Sequence, residues 1–441
     1  MDASATLNGN GGTIDVWSNN STTVAGTFKA KGGAMSGNGG IIDTSSAGVV
    51  TYGKGLVVDT TAPKGKVGTW LTDPLAIVID SSAAALLSKA LSTTNVTLDA
   101  SASACAAIGS CSQSATPVIS ILADVYSSNT LTSLTLKAPG GTINVNSHIT
   151  AGSVYAVAQT INVNGSVNTN GGANANIYLA AAIINLLGNI TGNGNGSGNG
   201  SNHTNSSHLN AANSTTANNR RKKSADQSDL STDANTYSSS GGNISIVATG
   251  DISVGTGSYI SANGQNGGDI SIVSTAGKTS INGIVDALGQ SGKGGNIFIV
   301  GKNQTDVIGA LISSEGLSQG GVINLGQVNN LGNGTILAPP ATAPPELSNF
   351  VKIAVASAVD LNSSITSNNI AIDSHTGINA PKGIIVVFGE QILVNNATLA
   401  AAHGDVTIGR PSYAQGQLSA RVAINNSTIR ANRVETSGEV I

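Results

Sequence analysis

Three consecutive segments with one shared internal pattern decide the fold of this chain. They read GGNISIVATGDISVGTGSYISANGQN (241–266), GGDISIVSTAGKTSINGIVDALGQSGK (267–293) and GGNIFIVGKNQTDVIGALISSEGLSQ (294–319). The opening glycine pair returns at Gly320, so the spacings are 26, 27 and 26 residues (267 − 241, 294 − 267 and 320 − 294). A fixed period of this length indicates a repeat architecture.

Within each segment, the hydrophobic residues alternate with polar ones at a period of two. The first segment contains three such runs, which are Ile244 with Ile246, Ile252 with Val254, and Ile260 with Ala262. Gly, Asn, Thr and Ser separate the runs, and these residues favour turns. Each segment is therefore predicted to form three short strands joined by three turns, which is one rung of a triangular coil.

Stacked rungs place equivalent residues above one another. Two inward columns are predicted: Ile244, Ile270, Ile297 and Ile323, then Ile246, Ile272, Ile299 and Leu325. The Ser, Asn and Asp residues between them are expected to face water. The predicted fold class is all-β, a right-handed parallel β-helix (β-solenoid) with a long disordered loop insertion.

Composition agrees with this architecture and narrows the function. The chain has 441 residues, with 56 Gly, 3% aromatic and 10% charged residues. Few helices are expected, because residues that favour turns and caps outnumber helix formers. A net charge of −3 gives no electrostatic footprint for nucleic acid, and no apolar run is long enough to span a bilayer.

Changes in pattern divide the chain into seven predicted parts. In chain order, these are a β-helix block (1–80), a short helix and Cys-containing excursion (81–130), β-helix (131–191), a disordered Gly/Asn/Ser loop (192–240), the regular glycine-pair repeat (241–337), a Pro-rich loop (338–346) and a continuation of the β-helix (347–441). The short helix rests on Leu87 and Leu91, which lie four residues apart behind the candidate caps Ser81 and Ser82.

The most distinctive local motif lies in the first block. Gly68, Trp70, Leu71, Asp73 and Pro74 occur within GTWLTDP. The Asp-Pro bond is a candidate processing site, but we favour a structural role. Trp70 and Leu71 are expected to pack a turn between coils, and Pro74 is expected to end a strand.

Several motifs in order resemble the repeat region of filamentous haemagglutinin-type exoproteins, the large adhesins that bacteria export by two-partner secretion. KAKGGAMSGNGG is followed by GLVVDTTAPKGKVGTWLTDPLAIVI, which contains the family's Gly-x-Trp-Leu-x-Asp-Pro signature, and then by a Ser/Ala/Leu helix, NVTL and LTLKAPGGTINVNSHITAG. The resemblance covers most of the chain outside the long loop. No counterpart of the family's N-terminal secretion domain is found, so we expect this chain to be a segment of a longer exported protein.

Two further clusters are candidate sites. Cys105 and Cys111 are the two cysteines of a chain that looks exported, which favours a disulfide over free thiols or a catalytic role. Arg220, Arg221, Lys222 and Lys223 lie in the predicted loop, where they could bind an anionic ligand or be cut by a protease. A solvated loop that carries charge for solubility is the simpler interpretation.

Evidence for catalysis is weak at the level of sequence. His403-Gly404-Asp405 is similar to pieces of β-helical polysaccharide hydrolases, but the paired carboxylates that such chemistry requires are not grouped on one face of the sequence. The five histidines are dispersed and have no metal-ligand spacing. We therefore expect no catalytic residue, no metal and no cofactor.

The sequence thus predicts a non-enzymatic adhesin segment, secreted or at the bacterial cell surface. It is expected to attach to host cells, matrix, glycans or other bacteria. The expected partners are a host-cell surface or glycan receptor and, for the full-length protein, an outer-membrane transporter. Nucleic acid binding and membrane insertion are not expected, and the segment is expected to be a monomeric rod. The alternatives are the shaft of a contact-dependent toxin and a β-helical polysaccharide lyase or hydrolase.

Overall fold

The computed structural model describes residues 1–100, 116–171, 175–194, 237–328, 339, 343, 345–358, 365–409 and 420–440. The chain forms two compact units. Unit 1 contains Met1–Asn170, Leu179–Ala181 and Ala343–Leu347, and unit 2 contains Gly171–Tyr178, Ala182–Thr342 and Ser348–Ile441. Cys105, Cys111 and Arg220 to Lys223 lie outside the described residues, as does most of the predicted loop.

Unit 1 is built from short strands and one helix. The strands are β1 (Thr13–Ser18), β2 (Ser21–Val24), β3 (Thr27–Lys29), β4 (Ile41–Ser46), β5 (Val49–Tyr52), β6 (Val57–Asp59), β7 (Thr69–Thr72), β8 (Ala76–Ile79), β9 (Asn95–Asp99), β10 (Val118–Ile121), β11 (Val125–Tyr126), β12 (Ser133–Val145), β13 (His148–Ala151), β14 (Ser153–Val163) and β15 (Ser166–Thr169), and the helix is α1 (Ser81–Ala90). Strand β16 (Ile177–Ala181) contributes residues to both units.

Unit 2 repeats the same design. Its strands are β17 (Ile183–Leu186), β18 (Asn189–Thr191), β19 (Ile244–Ala248), β20 (Ile252–Val254), β21 (Tyr259–Ser261), β22 (Ile270–Ser274), β23 (Lys278–Ile281), β24 (Ile284–Asp286), β25 (Ile297–Gly301), β26 (Gln304–Ile308), β27 (Leu311–Ser313), β28 (Val322–Leu325), β29 (Gln327–Val328), β30 (Ile365–Asp373), β31 (Gly377–Asn379), β32 (Ile384–Asn395), β33 (Thr398–Gly409), β34 (Arg421–Asn425), β35 (Thr428–Ser437) and β36 (Glu439–Val440). Helix α2 (Pro345–Ala358) begins in unit 1 and continues in unit 2.

Apart from β29, which pairs antiparallel with β30, the strands of unit 2 stack as parallel ladders with one rung per repeat, which confirms the predicted solenoid. Ile244 pairs with Ile270, Ile270 with Ile297, and Ile297 with Ile323. All four side chains are fully buried. The second predicted column is also present and buried, from Ile246 to Leu325. Each buried Ile contributes about 1.5–3 kcal/mol of transfer free energy, so the columns form the core.

Unit 1 has an equivalent inward column. It runs through Ile14, Ile42, Trp70, Val96, Leu134 and Val154, each paired with the next in a parallel ladder. Trp70 therefore lies in the middle of a core column, within β7. The sequence predicts that Trp70 packs a turn between coils, but it is part of a strand, because the motif has the same period-two pattern as the other strands.

The glycine pairs recur because the rungs approach closely at that corner. A Cβ on Gly295 would overlap the main-chain carbonyl of Gly268, and one on Gly321 would overlap that of Gly295. The same stacking relates Gly268 to Gly242. Only glycine leaves room for this contact, so the repeat keeps glycine at this position.

One expectation about the outer face is wrong. Ser245 and Ser271 lie between the inward isoleucines, yet they are 1% and 0% exposed. Their hydroxyl oxygens have no hydrogen-bond partner among the described residues. Val247 and Val273, two positions further along the same strands, are buried as well. The outer face of β19 and β22 is therefore covered, not solvated.

The two helices also differ in part from expectation. Helix α1 forms as predicted, but its cap is Asp80, whose Oδ1 accepts the N–H groups of Ser82 and Ala83 at 2.9 Å each. Helix α2 occupies residues that were assigned to the Pro-rich loop and to the continuing β-helix. Its buried residues Leu347, Val351, Ala354 and Ala358 follow a helical period, which was masked by the surrounding strand-like sequence.

Candidate functional site

The outer face of unit 2 carries an open groove of about 390 Å³. Strands β26, β30, β32 and β34 form its floor, because they stack as successive parallel rungs. Its lining residues are Gln304, Asn369, Ile370, Ala371, Gln391, Ile392, Leu393, Arg421 and Ala423. The groove therefore lies across four rungs, on a surface that the strand register fixes.

A column of polar side chains runs along this groove. Gln304 pairs with Asn369, Asn369 with Gln391, and Gln391 with Arg421. Successive members are about 4.8 Å apart, since that is the spacing of neighbouring strands. The three amides can both donate and accept hydrogen bonds, and the guanidinium adds a permanent positive charge at one end.

The neighbouring outward column is less polar. Ala371, Leu393 and Ala423 stack beside the amides, and Leu393 is 38% exposed. At the other end, Gln304 donates to Asp306 Oδ1 at 2.7 Å, and Asp306 is also ion-paired with Lys278. The groove thus offers polar groups on one side and an apolar strip on the other.

A second cluster, which we call the acidic cluster, lies on the outer face of unit 1. It comprises Asp43 on β4, Asp73 after β7, Asp99 on β9, Lys137 on β12 and Glu346 on α2. Lys137 is ion-paired with Asp99 and donates a 2.8 Å hydrogen bond to Glu346. Register places Asp73 beside Asp99, because Thr72 pairs with Leu98.

Burial and neighbouring charges perturb this cluster. Burial raises the pKa of Asp73 to about 7, the negative charges of Asp99 and Asp43 act in the same direction, and Lys137 opposes them. Burial also raises the pKa of Asp43, although a hydrogen bond from Ser45 lowers it. Burial alone would lower the pKa of Lys137, but its bonds to Asp99 and Glu346 outweigh burial and raise it.

The acidic cluster was missed at the level of sequence, where the carboxylates were judged not to be grouped. The signal was present, since Asp73 and Asp99 are 26 residues apart (99 − 73), close to one rung. The arrangement does not suit hydrolysis of a polymer, because Asp99 is 6% exposed and its carboxylate is held by Lys137. A general acid and its partner carboxylate must both reach the scissile bond.

The predicted structural motif has a clear place in unit 1. Trp70 is fully buried, and its indole Nε1–H donates to Thr44 Oγ1 at 2.8 Å. The rings of Tyr52 and Trp70 form a T-shaped pair, with ring centroids 5.6 Å apart and an interplanar angle of 77°. Leu71 is half-buried on the outer face, and a Cβ on Gly68 would overlap the carbonyl of Gly40.

The candidate hydrolase residues belong to neither the groove nor the acidic cluster. His403 is exposed on β33. Asp405 contacts Arg433 at 3.6 Å, and Arg433 also pairs with Glu435 at 3.0 Å. Asp405 therefore has a cation as its neighbour, where a hydrolase would place a second carboxylate.

Comparison with known proteins does not assign this chain to a family. No protein-family model, no curated protein and no solved structure matches this chain. Among the residues that the structure describes, no group of three or more His, Cys, Asp or Glu could hold a metal ion. Neither described helix has the length and apolar character needed to cross a bilayer.

Proposed function

We propose that this chain is a non-enzymatic segment of a bacterial adhesin, secreted or displayed at the cell surface, and that the groove of unit 2 binds a glycan chain. The observation that carries the proposal is the column Gln304, Asn369, Gln391 and Arg421 along an open groove. Amides spaced one rung apart can bind successive hydroxyl groups of an extended polymer. The apolar strip beside them matches the less polar faces of sugar rings.

Arg421 favours an acidic glycan. Its permanent positive charge at one end of the groove attracts the carboxylate or sulfate groups that uronates and sulfated sugars carry. Many such contacts repeated along a polymer give useful avidity even when each is weak. Export by an outer-membrane transporter as part of a longer protein, and attachment to host cells or other bacteria, belong to the same proposal.

The test is binding of the purified protein to immobilised uronate-containing and neutral polysaccharides. We expect retention on the acidic polymers, and Arg421→Ala should weaken it about tenfold or more, as the loss of one charge-assisted hydrogen bond implies. Arg430→Ala is the matched control, because Arg430 is an exposed arginine on β35 that does not line the groove. Equal binding by the two variants would refute the groove as the site.

The same incubations distinguish the alternatives. Release of reducing or unsaturated sugar ends would favour the lyase or hydrolase over the adhesin. A toxin domain encoded downstream, together with no glycan binding by this segment, would favour the shaft of a contact-dependent toxin.

A further inference from the structure

The chain contains a single Asp-Pro bond, Asp73–Pro74, and the structure places it between β7 and β8. Hydrogen bonds hold both sides of Asp73. Its N–H donates to Ser45 Oγ at 3.1 Å, and its carbonyl oxygen accepts the N–H of Ser46 at 3.4 Å. The main chain at this bond is thus anchored to the neighbouring rung, with an N–H directed at the carbonyl oxygen.

The side chain of Asp73 is not anchored in this way. Its Oδ1 is buried and has no hydrogen-bond partner among the described residues. The charged groups that face it are Asp43, Asp99 and Lys137, and Lys137 is already bound to Asp99 and Glu346. No hydrogen bond among the described residues fixes this carboxyl oxygen, and two carboxylates are among its neighbours.

Burial and those neighbours raise the pKa of Asp73 to about 7. At about pH 6.5, roughly three quarters of such groups carry a proton, whereas an ordinary aspartate is protonated in about one molecule in 500. The fold thus keeps a carboxylic acid beside a proline peptide bond at near-neutral pH.

Proline limits what this acid can do. Pro74 has no N–H, so its nitrogen cannot attack the side chain to form a succinimide. The remaining intramolecular route is attack by the carboxyl oxygen of Asp73 on its own main-chain carbonyl carbon. We propose that Asp73–Pro74 is a self-scission site of this chain.

The reaction is balanced without a cofactor. The side-chain oxygen bonds to the main-chain carbonyl carbon, and the carboxyl proton passes to the nitrogen of Pro74. The C–N bond then breaks, leaving a five-membered cyclic anhydride at Asp73 and a secondary amine at Pro74. Water opens the anhydride to two carboxyl groups, so one water molecule is consumed. The Ser46 N–H lies where negative charge develops on the carbonyl oxygen.

The cut chain is expected to stay assembled. β7 remains paired with β4 and β9, and β8 with β10, so both new ends are held by their ladders. The pieces 1–73 and 74–441 should separate only when the protein is unfolded. After scission the protein would thus remain folded, with a new N-terminal proline at position 74.

The test is incubation of the full chain at about pH 6.5, followed by denaturing electrophoresis and mass spectrometry of the pieces. We expect scission between Asp73 and Pro74 at least tenfold faster in the folded protein than in the same chain unfolded in urea, because unfolding returns Asp73 to an ordinary pKa. The rate should be greatest at low pH and should fall as pH rises through about 7.

Substitutions at and near the bond distinguish self-scission from cleavage by a contaminating protease. Asp73→Ala and Pro74→Ala should each abolish the cut. Asp99→Asn should retain it but shift the fall in rate to lower pH, since it removes a charge that favours the protonated acid. A folded rate no greater than the unfolded rate, or scission that persists in Asp73→Ala, would overturn the proposal.

Discussion

Trp70 Nε1 donates a 2.8 Å hydrogen bond to Thr44 Oγ1, from one rung of unit 1 to the rung before it. Both residues are completely buried, so the bond links two layers of the core where water cannot replace it. Trp70, the most distinctive residue of the sequence motif, thus hydrogen-bonds one stacked strand to the next.

Replacing Trp70 with Phe should lower the free energy of unfolding by about 1–3 kcal/mol. Thr44 loses its buried hydrogen-bond partner, and the smaller phenyl ring leaves a cavity where the indole was. Urea unfolding followed by circular dichroism would measure the change. Trp17→Phe is the matched control, since Trp17 is 45% exposed. It should change stability by less than about 0.5 kcal/mol, and equal effects of the two variants would contradict the assigned core position.

Adding a methyl group at Gly295 should destabilise the protein by about 1–3 kcal/mol or more, because the new Cβ meets the rigid main chain of Gly268. Gly377→Ala provides the comparison. Its Cβ would meet only a side-chain carbon of Leu311, at 3.2 Å, and that side chain can move. Thermal unfolding of both variants would reveal the difference, and a stable Gly295→Ala protein would exclude close stacking of the glycines.

The acidic cluster should make stability depend on pH. Folding raises the pKa of Asp73 to about 7, so the folded state favours the protonated acid. Its stabilising contribution is complete below the unfolded pKa of about 3.8 and is lost as pH rises through about 7. Asp73→Asn, which stays neutral, should become more stable relative to the wild type between about pH 5 and pH 8. Urea denaturation of both proteins at a series of pH values would check this. If the free energy of unfolding changed with pH in the same way for the wild type and Asp73→Asn, the prediction would be refuted.

Replacing Lys137 with Met should be strongly destabilising at neutral pH, by about 3–5 kcal/mol, because it leaves the buried Asp99 carboxylate without its cation. Lys31→Met removes a partner of Asp59 in a pair at 3.4 Å, where the Lys31 side chain is 41% exposed. That control should change stability by less than about 1 kcal/mol. Urea titrations at the same pH would compare them, and similar small effects would argue against a buried ion pair.

Much of the fold could be predicted because it repeats. The isoleucine columns follow from the constant offset of Ile244, Ile270 and Ile297 from their glycine pairs, and the structure stacks them in that order. Trp70 is expected from the motif alone to pack a turn between coils, because its segment has no neighbouring repeat with the same residue to align it. Its place in the column became visible only when register aligned it with Ile42 and Val96.

The sites were harder to predict because they depend on contacts between rungs. Gln304 and Arg421 are 117 residues apart in the sequence (421 − 304), yet they belong to one groove. Ser245 is polar and is expected from the sequence to face water, but the outer face around it is buried. Patterning within one strand predicts which face a residue occupies, but not what lies over that face.

The ladder of unit 2 continues from β28 to β32 although a long stretch of chain lies between them, since Ile323 pairs with Ile385. The steps between the glycine-pair rungs join residues 26 or 27 apart, such as Ile297 and Ile323, whereas this one joins residues 62 apart (385 − 323). The extra chain adds about 0.8 kcal/mol of loop-closure entropy to that step. Growth of the stack from its glycine-pair rungs would therefore slow roughly fourfold at this step, and again on the other side, where Ile184 pairs with Ile252 across 68 residues (252 − 184).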